Sequence, residues 1–202
     1  MTETTLSYPE NREPTAFTQE ELGWLPWLEP FPAEQLTERH WAGLVDASRA
    51  KSPYFLLLAR DPDILQARTK TDKDIFYNTS NGLPRAEREL AATATSRSNG
   101  CIFCASVHSR FATQFSKRGA DVQRLLDEGV DVDIDGRWNA IVAASVTLTD
   151  TPIEFGSRQI EALRVAGLGD AEIVDVINGA SFFNWANRLM LSLGEPTPPV
   201  SS

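Results

Sequence analysis

The chain has 202 residues, 42% apolar and 23% charged, with a formal net charge of −9. That is the composition of a soluble globular protein long enough to bury one large core. The acid excess, with no basic run against it, gives no electrostatic pull toward nucleic acid or anionic lipid. Apolar runs such as YFLLLA and AIVAA are far too short to span a bilayer.

The opening MTETTLSYPENREP is polar and acidic. It lacks the basic start and apolar middle of a secretory signal, so the cytoplasm is the expected compartment. Residues 1–31 read as an irregular arm rich in Pro, Glu and Trp. Trp24, Trp27 and Phe31 are too apolar to be left in water, so they pack on their own domain or cross onto a neighbouring subunit. From 32 to 196 helix signals dominate. PAEQLTERHWAGLVDAS places Leu36, Trp41, Leu44 and Val45 at roughly helical spacing. SPYFLLLARD is short and apolar, a buried helix. DPDILQARTKTDKDIFYN opens with Asp61 as a cap and Pro62 at the first helical position. LPRAERELAATATSRS repeats the Pro start and stops before Asn99-Gly100. CIFCASVHSRFATQFSKRG is expected to end at Gly119 in a left-handed cap. DGRWNAIVAASVTLTD, SRQIEALRVAG and GDAEIVDVINGASFFNWANRLMLSLG complete the set. EGVDVDIDG alternates only briefly and reads as a loop. Residues 197–202 are expected to be a disordered tail. The sum is an all-α, single-domain bundle of about eight helices and no sheet.

The stretch SNGCIFCASVHSRFA holds both cysteines and one of the two histidines. On a helix, Cys101, Cys104, His108, Phe111 and Phe115 form one stripe, expected to face inward. The two thiols are one turn apart, as are Cys104 and His108. A helix start at Asn99-Gly100 puts the cysteines where free N–H groups and the dipole favour a thiolate. Two buried cysteines can also be simple core filler. Zinc needs four ligands and the cluster offers three, so a carboxylate or His40 would have to complete the set. A c-type haem is excluded, because Ala105 stands where a histidine must follow the second cysteine. His40 reads as a surface or cap residue. A carboxylate that orients the imidazole would strengthen a thiol–imidazole pair. Glu89, on the preceding helix, is the candidate. It could equally be a solvated helix residue, as some of Arg85, Glu87 and Arg88 are expected to be.

ELAATATSRSNGCIFCASVH resembles the active-site segment of alkyl hydroperoxidase D-like proteins, in the carboxymuconolactone decarboxylase superfamily. The pattern Glu, eleven residues, Cys-x-x-Cys, three residues, His falls on Glu89, Cys101, Cys104 and His108. LPRAERE and the closing FFNWANRLMLSLGEP are also of the family type. The resemblance runs from about Ser52 to Pro196. It implies an all-α fold, an obligate homo-oligomer with the site near the subunit interface, and reduction of hydroperoxides by the cysteine pair. It implies a dithiol or lipoyl-type protein as the reductant. One departure stands out: the best-known members carry a second histidine directly before the second cysteine, where this chain has Phe103. The decarboxylase branch lacks the cysteine pair, which counts against lactone decarboxylation.

The expected mechanism starts from thiolate attack on the O–O bond, with Cys104 as the attacker because it lies one turn from His108. Cys101, expected to be the more exposed, condenses with the resulting sulfenic acid and then exchanges with the dithiol. Glu89 acts on His108 as it draws the proton. This chemistry needs no metal and no bound cofactor. Three alternatives are a general dithiol–disulfide oxidoreductase, a non-catalytic redox-responsive oligomer and a zinc-binding module.

Overall fold

The computed structural model describes residues 5–78 and 80–199. Nine α-helices lie among the described residues: α1 (Glu38–Leu44), α2 (Pro53–Leu58), α3 (Pro62–Tyr77), α4 (Arg85–Ser98), α5 (Ile102–Ser116), α6 (Gly119–Glu128), α7 (Gly136–Thr149), α8 (Ser157–Val165) and α9 (Asp170–Leu193). Short 3-10 turns at Ala33–Gln35 and Ala47–Lys51 flank α1. Among the described residues, no helix is long and apolar enough to cross a membrane.

The centre of the molecule is α4. Every residue from Glu87 to Ser96 is buried. A helix buried on all sides carries no amphipathic stripe, and here small side chains take its place. Ala91, Ala92, Thr93, Ala94, Thr95 and Ser96 let α5, α7 and α9 approach at once. The alanines also favour the helix intrinsically, and Thr93 turns its hydroxyl back to the Glu89 carbonyl at 2.7 Å. One apolar core gathers around α4, α7 and α9, with Leu90, Ile141, Val142, Leu163 and Val176 buried together. A second, richer in aromatics, holds Trp24, Tyr54, Phe76, Phe182, Phe183 and both cysteines.

The charged residues at the start of α4 are not solvated, as some were expected to be. Glu87, Arg88 and Glu89 are all buried. Arg137 grips Glu87 through two bonds of 2.8 Å and reaches Glu172 at 2.9 Å, tying α4 to α7 and α9. Arg88 donates to the carbonyls of Leu83, Ile75 and Asn81 at 2.6, 2.6 and 2.8 Å. It thereby closes the α3–α4 turn, where Gly82 adopts φ +82° beside Asp175. Buried charge is tolerated here because each group has its partner.

Four expectations are corrected. A two-stranded antiparallel sheet joins β1 (Leu22–Pro26) to β2 (Gly194–Pro199), with Trp24 opposite Pro196 and Leu25 opposite Glu195. So the arm is not wholly irregular, and the tail is ordered to Pro199, with residues 200–202 outside the described ones. Prolines are tolerated because β2 is an edge strand with a single neighbour. Asn11 and Trp27 both donate to the Glu195 carboxylate, at 2.8 and 2.9 Å, and hold it in place. Second, the long first helix is broken. Thr37 and His40 close a capping box across 2.7 Å, so α1 starts afresh at Glu38. His40 is thus a cap residue. Third, α5 ends earlier than expected, at Ser116. Lys117, not Gly119, takes the left-handed conformation, and Gly119 opens α6, a helix outside the eight expected. Fourth, the Cys101–Phe115 stripe does not face inward throughout, since Phe115 is 47% exposed. The Gly129–Asp135 segment is a loop, as expected.

Candidate active site

Gly100, at φ +75°, turns the chain sharply between α4 and α5. A left-handed turn there strains any residue with a Cβ. The Cys101 amide bonds back to the Ser96 carbonyl at 2.9 Å, which fixes Cys101 as the residue just ahead of α5. Cys104 follows in the first turn. The sulfurs are 2.9 Å apart and both thiols are free. A disulfide needs about 2.05 Å, so closing one requires about 1 Å of movement.

Both cysteines are buried, and Cys101 is the less exposed, at 1% against 5% for Cys104. This reverses the expected order of exposure. The reason is packing: Cys101 faces Asn187 on α9, whereas Cys104 lies on the wall of a cavity of about 520 Å³. Their electrostatics also diverge. A hydrogen bond from Cys104, with help from the Cys104 amide and Asn187, holds Cys101 below the ordinary thiol range despite burial. Burial, then the proximity of Cys101, pushes Cys104 well up. Cys101 is therefore the more acidic thiol of the pair. Thiolate absorbance of the reduced protein is expected to rise in two separate steps, one below and one far above the ordinary cysteine value. Cys104→Ala removes the proton donor and should move the first step upward. Two coincident steps at the ordinary value would contradict this arrangement.

His108 sits one turn beyond Cys104. Its ring is held between Phe183 and Phe76, with centroids 4.1 and 5.3 Å away. Nδ1 donates to Glu89 Oε2 at 2.5 Å. That bond selects the tautomer and leaves Nε2 as the free acceptor. Oε1 of the same carboxylate accepts from Arg85 at 2.5 Å. Glu89 is fully buried, and its carboxylate links Arg85 to His108. Among the described residues no direct hydrogen bond joins His108 to Cys104. Both line the same cavity, with Glu89 and Arg85.

A second cavity of about 260 Å³ opens on the other side of the pair, lined by Cys101, Glu13, Pro14 and Trp27. Trp24, Phe103 and Met190 line both cavities and form the partition. Phe103 thus fills, with an apolar ring, the place where the resembling proteins carry a histidine. No group of three or more His, Cys, Asp or Glu side chains positioned for a metal occurs among the described residues.

Residues 62–145 match the carboxymuconolactone decarboxylase family. The matched segment runs from α3 into α7 and includes Glu89, Cys101, Cys104 and His108. No curated protein matches the sequence. The fold is that of the alkylhydroperoxidase AhpD core, as seen in an uncharacterized peroxidase-related protein from Ralstonia eutropha JMP134. That structure superposes with a TM-score of 0.68 at 21% identity, covering 93% of this chain and 92% of the other. A peroxidase-related protein from Silicibacter sp. TM1040 gives 0.67 at 24% identity, covering 95% and 96%. The debrominase Bmp8 gives 0.66 at 14% identity, covering 81% and 88%. At these identities the likeness is one of fold.

The pattern that the sequence resembles picked out Glu89, Cys101, Cys104 and His108 as candidates. It did not reveal Arg85 as the partner of Glu89, Asn187 beside the sulfurs, or Tyr54 and Arg68 in the cavity wall. Asn187 had one available signal. It is a buried amide in the otherwise apolar run FFNWANRLM, three residues after Asn184, and both bond Asn99.

Proposed function

We propose that the protein is a thiol-dependent peroxidase that reduces organic hydroperoxides through Cys101 and Cys104. The observation that carries this reading is one cavity wall holding Cys104 beside a carboxylate-backed imidazole, with the second sulfur 2.9 Å behind it. Burial keeps the Cys104 proton on, so a base is needed. Nε2 of His108 takes that proton, directly or through one water. The thiolate attacks the outer peroxide oxygen, an S–O bond forms and the O–O bond breaks. The alkoxide leaves as the alcohol after taking the proton back from His108. Cys101 then attacks the Cys104 sulfenic acid, and water leaves as the disulfide closes. An external dithiol returns two electrons by exchange at Cys101, entering from the smaller cavity. Phe103 in the partition makes any proton path between the cavities run through water.

The test is steady-state hydroperoxide consumption with dithiol and monothiol donors, including a dihydrolipoyl protein. One alcohol should form per dithiol oxidised. No hydroperoxide loss with any donor, alongside reduction of a protein disulfide, would replace the reading with a general oxidoreductase. A brominated pyrrole in the same assay tests whether the activity in Bmp8's name extends to this chain.

The proposal includes a homo-oligomer. Tyr77 and Phe115 are 59% and 47% exposed, and both lie against Arg85 near the cavity mouth. Aromatic surface of this kind marks an interface. Sedimentation at micromolar concentration should show no appreciable monomer, and Phe115→Glu with Tyr77→Glu should release it. A wild-type monomer would contradict the assembly. Removing residues 1–31 is not a clean alternative, because Trp24 is buried in its own chain.

A further inference from the structure

The cavity over Cys104 holds a charge that the peroxidase steps do not use. Arg68, on α3, is 7% exposed, and its Nε and Nη1 have no hydrogen-bond partner. Its guanidinium lies 5.3, 5.5 and 5.9 Å from the ring centres of Phe182, Phe55 and Tyr54. Tyr54 is also 7% exposed, and its hydroxyl has no partner. Burial pushes that phenol up to about 12, so it remains a donor. Both residues line the cavity. A buried donor left unpaired is costly, and more so when charged. Such groups are satisfied in a folded protein unless a site requires them open.

The acids along this wall are already engaged. Glu89 serves Arg85 and His108. Glu21 pairs with Arg110 at 3.3 Å. Asp72 lies 3.4 Å from Arg49 and 3.8 Å from Arg68, so it only partly answers two guanidiniums. Exposed Lys51 adds a further cation to the lining. The lining cations Lys51, Arg68 and Arg85 face Glu21, Asp72 and Glu89, but Arg49 and Arg110 draw on Asp72 and Glu21 from outside the cavity, so Arg68 keeps only part of a counter-charge. The remaining lining is largely aromatic.

Resting on the peroxidase reading, we infer that this cavity selects an organic hydroperoxide with a carboxylate head and an apolar body. The guanidinium fork of Arg68 and the Tyr54 hydroxyl donate to the carboxylate, as planar two-point recognition favours. The apolar body lies against the aromatic lining and the hydroperoxide end reaches Cys104. A cavity of about 520 Å³ is of the size that takes such a ligand.

The test uses para-carboxycumene hydroperoxide and its methyl ester with the reduced protein. The acid should be preferred by about tenfold or more in kcat/KM, as expected when buried polar groups recognise a substrate group. Arg68→Gln should bring the acid-to-ester ratio close to one, Arg68→Lys should keep part of it, and Tyr54→Phe should lower it several-fold. Calorimetry on Cys104→Ser with the alcohol product, as acid and as ester, reads binding apart from turnover. Acid-selective, Arg68-dependent binding without any turnover would sink the peroxidase reading and uphold the carboxylate site. Equal use of acid and ester by the wild type would overturn the inference. So would an unchanged ratio in Arg68→Gln, which would leave Arg68 only as a counter-charge for the Cys104 sulfur. If Arg68→Gln does not fold, Tyr54→Phe and Arg68→Lys decide.

Discussion

Cys104→Ser is expected to abolish hydroperoxide reduction, and Cys101→Ser to halt it after one event. Access and charge pull in different directions in this pair. Cys101 is the more acidic thiol, but only Cys104 lines the larger cavity and shares it with His108. A nucleophile must first reach the peroxide, so access decides the order. The sulfurs are in hydrogen-bond contact, so charge passes to Cys104 with little movement. In Cys101→Ser one sulfenic acid should form on Cys104 and persist, detectable by dimedone labelling and mass spectrometry. Label on Cys101 in the Cys104→Ser protein would reverse the roles.

The second large effect concerns the relay. His108→Ala and Glu89→Gln should each slow the peroxide step by about 10²–10⁴-fold, the range for a positioned acid–base group. The reasoning is electrostatic. Burial opposes ionisation of Cys104, and the proposed base, His108, lines the same cavity. Without it the rate should follow hydroxide, rising about tenfold per pH unit through neutrality. Glu89→Gln also strips Arg85 of its buried partner, at a cost of about 3 kcal/mol. Glu89→Gln with Arg85→Gln removes both charges. It should recover most of the thermal stability and none of the rate. Recovery of both would show that Glu89 is only structural.

The helical fold was legible because caps, prolines and glycines punctuate it, as Asp61-Pro62 does before α3. What stayed hidden has a common physical origin. The β1–β2 pair joins segments about 170 residues apart and is rich in proline, and proline ordinarily argues against a strand. The short helix α6 was absorbed into the connection after Gly119. In the site, the family resemblance picked out Glu89, Cys101, Cys104 and His108, because they share one short stretch: Glu89 opens the pattern on α4, Cys101 caps α5, and Cys104 and His108 lie in it. Tyr54, Arg68 and Asn187 arrive from α2, α3 and α9. Their meaning lies in what they face, and a lone arginine or tyrosine on a helix reads the same whether solvated or buried. Arg85 illustrates the point: it looked like surface charge, yet it holds one oxygen of Glu89.

The most direct test mixes fully reduced protein with one equivalent of an organic hydroperoxide in a stopped-flow instrument, without any external donor. Thiols and alcohol are then counted at the end of the reaction. The account predicts that two thiols disappear for each alcohol formed, with Cys101 and Cys104 recovered as an intramolecular disulfide. Two thiols remaining after the hydroperoxide is consumed, or hydroperoxide persisting beside the reduced pair, would contradict it.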